Sequence, residues 1–136
     1  MDKKCVMVID ENLPIGLIAN TTAVLGVTLG KINKEIIGQD VYDLDNNIHP
    51  GIVNIPIPIL KANNQIIRDL LDKANDYLDE VSIIDFCDLA QSCRDYEDYT
   101  LKMKHTSENT LNYSGICLYG NKKRINKLTG SLPLLR

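Results

Sequence analysis

The chain has 136 residues, 15 Lys plus Arg against 18 Asp plus Glu, and a formal net charge of -3 at a pI near 5.3. That length suits one ordinary domain, residues 1–136, and is too short for two independent cores. A composition of 44% hydrophobic and 24% charged residues excludes a wholly disordered or fibrous chain, and the mildly acidic balance argues against nucleic acid held by bulk charge.

The first predicted element is a buried strand over KCVMVI, 4–9, rich in β-branched residues. A turn from Asp10 leads to Pro14, which suits the first turn of a helix running to about Lys31. No charge falls between Asn12 and Gly30. Ile15, Ile18, Thr22, Leu25 and Leu29 form one stripe, with the small residues Ala19, Ala23, Gly26 and Gly30 beside it. A helix of that kind is expected to be covered on more than one side, by the sheet and by another helix or a second subunit. Its glycines, asparagines and threonines argue against a membrane span. The apolar run before Asp10 is too short for a signal peptide.

Residues 40–54 predict a small hairpin turning at Asp45-Asn46-Asn47. The Asp43–Asn47 run opens like a calcium loop, but Ile48 and Asn54 stand where that loop needs glycine and glutamate, so a turn is the better reading. In IPIPIL, 55–60, Pro56 and Pro58 remove two N–H groups from one side, which predicts an edge strand. A helix over about 64–79 is expected to bury Ile66, Ile67, Leu70, Leu71, Ala74 and Leu78, with Asn63 or Asn64 as its cap. Strand VSIIDF, 81–86, precedes a helix over about 88–104 that presents Leu89, Cys93, Tyr96 and Met103 on one face. Strand NYSGICLY, 112–119, ends at Gly120, and a short basic helix runs through about Leu128. Strands alternating with helices predict an α/β sandwich with helices on both faces of the sheet.

Chemistry is sparsely marked. Cys5, Cys87, Cys93 and Cys117 have no C-x-x-C spacing, which predicts reduced thiols in a cytoplasmic protein. With His49 and His105 they show no ligand spacing, so no metal site and no cofactor is expected. The turn Asp10–Gly16 opens a helix N-terminus able to receive an anion or carbonyl oxygen. Asn12, Gly16, Asn20 and Thr21 are therefore candidate ligand-binding residues, Asn20 because its apolar neighbours imply burial and a need for partners. Charge is uneven: residues 69–98 carry a net of -8, and residues 117–136 a net of +5, with Gly120–Arg124 as a second, unspecific anion candidate.

The opening KCVMVIDENLPIGLIANTTAVLGVTLG, the hairpin DLDNNIHPGI, the proline-bearing strand and the ending GICLYGNKKRINKLTGSLPLL together resemble the family called domain of unknown function 2000, over almost the whole chain. That family resembles the type II peptidyl-tRNA hydrolases in fold. The resemblance implies a three-layer α/β/α sandwich with a four-stranded mixed sheet in order 2-1-4-3, the proline-bearing strand lying at an edge. It also implies a site. Gly16 stands where the hydrolases have a glycine-lysine pair, but Leu17 replaces the lysine, and Asn20 takes the approximate place of their glutamine. Their acidic residue maps near Asp85 or Asp88, and their hydroxyl to Tyr113 or Ser114. Asp85 and Ser114 are thus the catalytic candidates, with Tyr113 as a ligand contact. Without the lysine, a tRNA phosphodiester or a developing negative charge loses its obvious cation, which argues against peptidyl-tRNA hydrolysis.

Three functions compete. The first is a cytoplasmic domain binding a small ligand or partner in the cleft between the first turn and the last strand. The second is a divergent esterase. The third is a non-catalytic accessory subunit docking through the first helix. A homodimer through that uncharged helix is expected, and no membrane.

Overall fold

A computed structural model describes residues 2–136. Its centre is a mixed sheet of β1 (Lys3–Asp10), β4 (Ile59–Ala62), β5 (Val81–Cys87) and β6 (Tyr113–Asn121), in the order β4-β1-β6-β5. β1 runs parallel to β4 and antiparallel to β6, which is itself antiparallel to β5. The central strands β1 and β6 are buried along most of their length, as their continuous apolar runs require.

The two faces carry separate cores. Helix α1 (Ile15–Ile32) covers one, packing Leu25 and Leu29 with Cys5, Met7, Ile9, Ile84 and Cys117. Helices α2 (Asn64–Ala74) and α4 (Lys122–Thr129) cover the other, where Ile67, Leu70 and Ile125 meet Val6, Val8, Ile116 and Leu118. The thiols of Cys5 and Cys117 meet at 3.5 Å beneath α1, and all four cysteines are free.

Helix α1 has the expected length, but its buried stripe is narrow. Only Thr21, Leu25 and Leu29 are buried, one per turn. Ile15 is 84% exposed, because it stands before the helix reaches the sheet, and Thr22 turns its hydroxyl back to the Ala19 carbonyl. Within the chain, α1 buries only this one stripe, against the sheet. At Gly115 of β6 a Cβ would lie 2.8 Å from the Thr21 methyl, so the missing side chain sets how closely α1 settles on the sheet.

Strand β4 is shorter and later than the proline pattern suggested. Pro56 and Pro58 precede it, and the Pro58 carbonyl accepts the Met7 N–H. β4 stands at one edge of the sheet, and the C-terminal tail caps part of its outer side: Lys61 N–H donates to the Pro133 carbonyl and Leu135 N–H to the Ile59 carbonyl. Strands β2 (Val41–Tyr42) and β3 (Ile48–His49) form the small hairpin. The Asp43 carboxylate accepts the Asp45 and Asn47 N–H groups, and Asn46 takes φ 64°.

Helix α2 is capped by Asn63, whose side chain accepts the Ile66 N–H. It ends at Ala74, and a 3₁₀ turn follows, leaving Leu78 61% exposed rather than buried. Ile66 is likewise exposed, on the outer flank of the helix. The helix expected over 88–104 is split into a 3₁₀ segment, Asp88–Ser92, and α3 (Tyr96–Lys104). Asp95 causes the break by capping a new helix, its carboxylate accepting the Asp98 N–H at 2.7 Å. Tyr96 then faces outward.

Candidate functional site

The edge strand β5 is where ionisable side chains and cavities coincide. On β5, Val81, Ile83 and Cys87 belong to the α2/α4 core and Ile84 and Phe86 to the α1 core. The alternation places Asp85 on the α2 side of a strand with no sheet neighbour beyond it. The ladder shifts register between Phe86 and Cys87, so that Gly115 opposes Phe86 and Tyr113 opposes Cys87. Ser114 is the extra residue, and the bulge puts Tyr113 into the α2-side core with Cys87.

Two cavities flank Asp85. One, about 420 Å³, lies under α2 and is lined by Asp72 and Asn75, by Ile83 and Asp85, and by Glu108 and Tyr113. The other, about 360 Å³, lies between α1 and the 88–112 excursion. Val24, Phe86, Ala90 and Tyr99 form its walls, with Asp85 and Asp95 as its carboxylates.

Glu108 organises the first cavity. The Tyr113 hydroxyl donates to its carboxylate at 2.7 Å, and an Arg68 guanidinium N–H donates to the same oxygen at 3.2 Å. Arg68 also donates to the Glu108 and Leu111 carbonyls, and its guanidinium stands 5.3 Å from the Tyr113 ring centre. Burial, and then the bond to Glu108, push the Tyr113 phenol well above its ordinary range, so it is a neutral donor and no phenolate nucleophile.

Asp85 has no ion-pair partner among the described residues. Desolvation by the cavity walls, and secondarily the Glu108 charge, raise its carboxyl above the usual aspartate value. The residue as a whole is exposed along its open strand edge, while its carboxyl is turned toward the cavities. Above about pH 4 the folded chain then holds its Asp85 proton more firmly than the unfolded chain does. Stability contributed by the protonated form is lost as pH rises through the shifted value. Asp85→Asn is expected to be more stable than wild type at pH 7 and to show a flatter stability profile above pH 4. Urea melts at several pH values check this, and a variant less stable at pH 7 contradicts it.

The structure brings together Asp85 and Tyr113 and leaves the other candidates elsewhere. Asn12, Gly16, Asn20 and Thr21 line neither cavity. Asn20 is exposed, because α1 buries only its Thr21-Leu25-Leu29 stripe, which corrects the expected burial. Thr21 is buried and gives its hydroxyl to the Leu17 carbonyl at 2.7 Å, so it has no free donor for a ligand. Ser114 is buried at the bulge and lines neither cavity. Asp88 exchanges hydrogen bonds with Asn112 and closes the base of the excursion. Cys87 is buried, which raises its thiol; Asp85 and Asp88 add to the shift. Among the described residues, no group of three or more His, Cys, Asp or Glu side chains is placed to hold a metal ion. Sequence reasoning missed Arg68, Asp72, Tyr99 and Glu108. They share no motif, and only the path of the excursion brings Glu108 and Tyr99 to β5.

These features define a small α/β protein with a four-stranded mixed sheet, an accessory hairpin and a carboxylate site on its edge strand. The chain belongs to the family described as protein of unknown function (DUF2000), whose profile matches residues 3–136. A solved structure of the protein of unknown function Atu0240 from Agrobacterium tumefaciens strain C58 is similar in fold, with a TM-score of 0.86 over 98% of each chain at 19% identity. No curated protein matches.

Proposed function

We propose that this chain binds a small molecule at the β5 edge, and that Asp85 is the group that recognises it. The observation that carries this reading is an unpaired carboxylate, held where its charge is poorly solvated, between two cavities. Proteins tolerate such a cost chiefly where a ligand repays it. The wall between α1 and the excursion is apolar and aromatic, and its charged groups, Asp85 and Asp95, are both acidic. That chemistry fits an aromatic or aliphatic body bearing a protonated amine. An ammonium beside Asp85 would favour the ionised carboxylate and reverse its shift.

The proposal moves the ligand from the end of β1 to the edge of β5. It keeps the cytoplasmic setting, supported by free thiols, and a kinship in fold with the type II peptidyl-tRNA hydrolases, supported by the mixed sheet with helices on both faces. A hydrolase reading has less support, since Ser114 is buried away from the cavities and Tyr113 is held neutral.

Calorimetric titration with 2-phenylethylamine, 2-phenylethanol and phenylacetate tests the proposal. The amine is expected to bind, its neutral and anionic analogues at least tenfold more weakly, and Asp85→Asn is expected to lose that preference. Equal binding of all three probes, no binding of the amine, or an unchanged Asp85→Asn variant would each overturn it.

A further inference from the structure

The prolines of the IPIPIL run open a slot in the sheet beside the start of β1. β1 pairs with β6 from Lys3 onward but with β4 only from Met7. The Met7 N–H donates to the Pro58 carbonyl. One step earlier the parallel ladder needs an N–H at residue 58 for the Cys5 carbonyl, and proline has none. Pairing stops there. Cys5 is fully buried, yet among the described residues no backbone group is bonded to its N–H or its carbonyl on that side.

A cavity of about 270 Å³ lies in the slot. Ile55, Pro56 and Pro58 form its apolar wall, Lys3 and Lys4 reach it from β1, and Lys122 from the first turn of α4. The Lys122 N–H donates to the Asp2 carbonyl at 2.9 Å, which fixes α4 beside β1. No carboxylate lines the cavity, and none of its three ammonium groups forms an ion pair among the described residues. Lys4 donates to the Asn126 side-chain oxygen at 2.6 Å, and the Lys3 ammonium stands 5.8 Å from the Tyr119 ring centre. The first turn of α4, Lys122-Lys123-Arg124, contains no acid, so its cations oppose the helix dipole. Glu80 pairs only with Arg124, at 2.7 Å. An excess of positive charge around an apolar hollow calls for an anion.

We infer that this cavity binds a phosphate monoester with a small apolar body, at a site separate from the β5 edge. Near neutral pH such an ester carries a charge of about -2 on acceptor oxygens that ammonium groups from two elements can meet together. A carboxylate brings a single charge and answers fewer of the three lysines. Pro56 and Pro58 present no N–H and suit the apolar body. Bulk attraction of a polyanion is the poorer fit, because the chain as a whole stands at -3.

Calorimetric titration of the full chain at about pH 7.5, where the ester is a dianion, tests the site. Phenyl phosphate is expected to bind with a dissociation constant below about 1 mM. Inorganic phosphate lacks the apolar body and phenylacetate the second charge, so each should bind about tenfold more weakly. Lys3→Gln combined with Lys122→Gln, both exposed, should weaken phenyl phosphate about tenfold with an unchanged melting temperature. Lys127→Gln removes the same charge from the last turn of α4, outside the cavity, and should leave binding unchanged. Asp85→Asn should also leave it unchanged, so this inference and the amine site at the β5 edge can fail separately. No binding of phenyl phosphate overturns the inference, as does equal binding of either analogue, an equal loss in Lys127→Gln, or a double variant that binds like wild type. Co-sedimentation with phosphatidate vesicles in place of binding to phenyl phosphate, lost in the double variant, would assign the cavity to a lipid head group instead.

Discussion

Gly120→Ala is expected to destabilise the fold by about 3 kcal/mol or more, as the sum of two costs. Gly120 lies in the central strand β6, paired to Lys4 on one side and Val81 on the other, with φ +154°. A Cβ there would run into the Glu80 carbonyl oxygen and stand 2.9 Å from the Val81 Cα. Both are backbone atoms and cannot rotate away. The same carbonyl accepts the Asn121 N–H at 3.0 Å, so moving Glu80 aside would also break the bond that leads β6 into α4. Gly16→Ala is the control. Nothing lies within 4 Å of a Cβ at Gly16, and the residue is exposed in the first turn of α1. There the substitution should stabilise by up to about 1 kcal/mol through helix propensity. Urea denaturation of both variants checks the pair. A Gly120→Ala loss below about 1 kcal/mol would mean that β6 can retreat from Glu80, contrary to its place in the middle of the sheet.

The fold was legible wherever one physical signal dominated. The apolar run at 4–9 read as a buried strand, and Pro14 with no proline before Lys31 placed both ends of α1. The asparagine pair 63–64 marked a cap, which Asn63 supplies through its side chain, and Asp45-Asn46-Asn47 marked a turn, in which Asn46 takes the positive φ. Legibility failed where two signals competed. The uncharged span from Asn12 to Gly30 implied a helix covered on more than one side, but composition reports only what a face can tolerate, not whether this chain or a second subunit touches it. Pro56 and Pro58 correctly disfavoured a central position, yet they also delayed the strand until the N–H groups resumed at Ile59. The excursion from Asp88 to Asn112 showed helical spacing, and a single capping residue, Asp95, reset it.

The site was half legible for a related reason. Asp85 entered only through the family resemblance, which placed an acidic residue near Asp85 or Asp88. Glu108 and Arg68 matter only through contacts across 40 residues, and neither breaks any local rule. Asn20 stood out by its apolar neighbours, and the burial they implied does not occur: those neighbours lie beside it on an exposed face. An anomalous polar residue identifies a face with something unexplained, and the packing decides whether that face looks inward or out.

Arg68→Ala is expected to cost about 2 kcal/mol and to loosen the return of the excursion into β6. Arg68 is the cation that ties α2 to residues 108–111: it meets the Glu108 carboxylate and carbonyl and the Leu111 carbonyl, and it covers the Tyr113 ring. Its side chain is 21% exposed, whereas that of Glu108 is 65% exposed, so water can take over the carboxylate more readily than the carbonyls. The loss should therefore fall mainly on the backbone contacts and on ring packing, with only a modest share from the ion pair. Arg68→Lys separates these parts, since a lysine keeps the charge but lacks the planar fork that reaches two carbonyls and a carboxylate together. It should recover less than half of the lost stability. Hydrogen exchange gives the local reading: Leu111 N–H, bonded to the Glu108 carbonyl, should exchange faster in Arg68→Ala, while the amides of β1 change only by the global loss. Removing the guanidinium also takes away the one nearby positive charge that favours the Tyr113 phenolate, so the phenol should become still harder to ionise. If Arg68→Ala melts within about 0.5 kcal/mol of wild type, the excursion is held by its apolar contacts, Leu111 and Met103, and Arg68 is a surface residue that happens to lie across them.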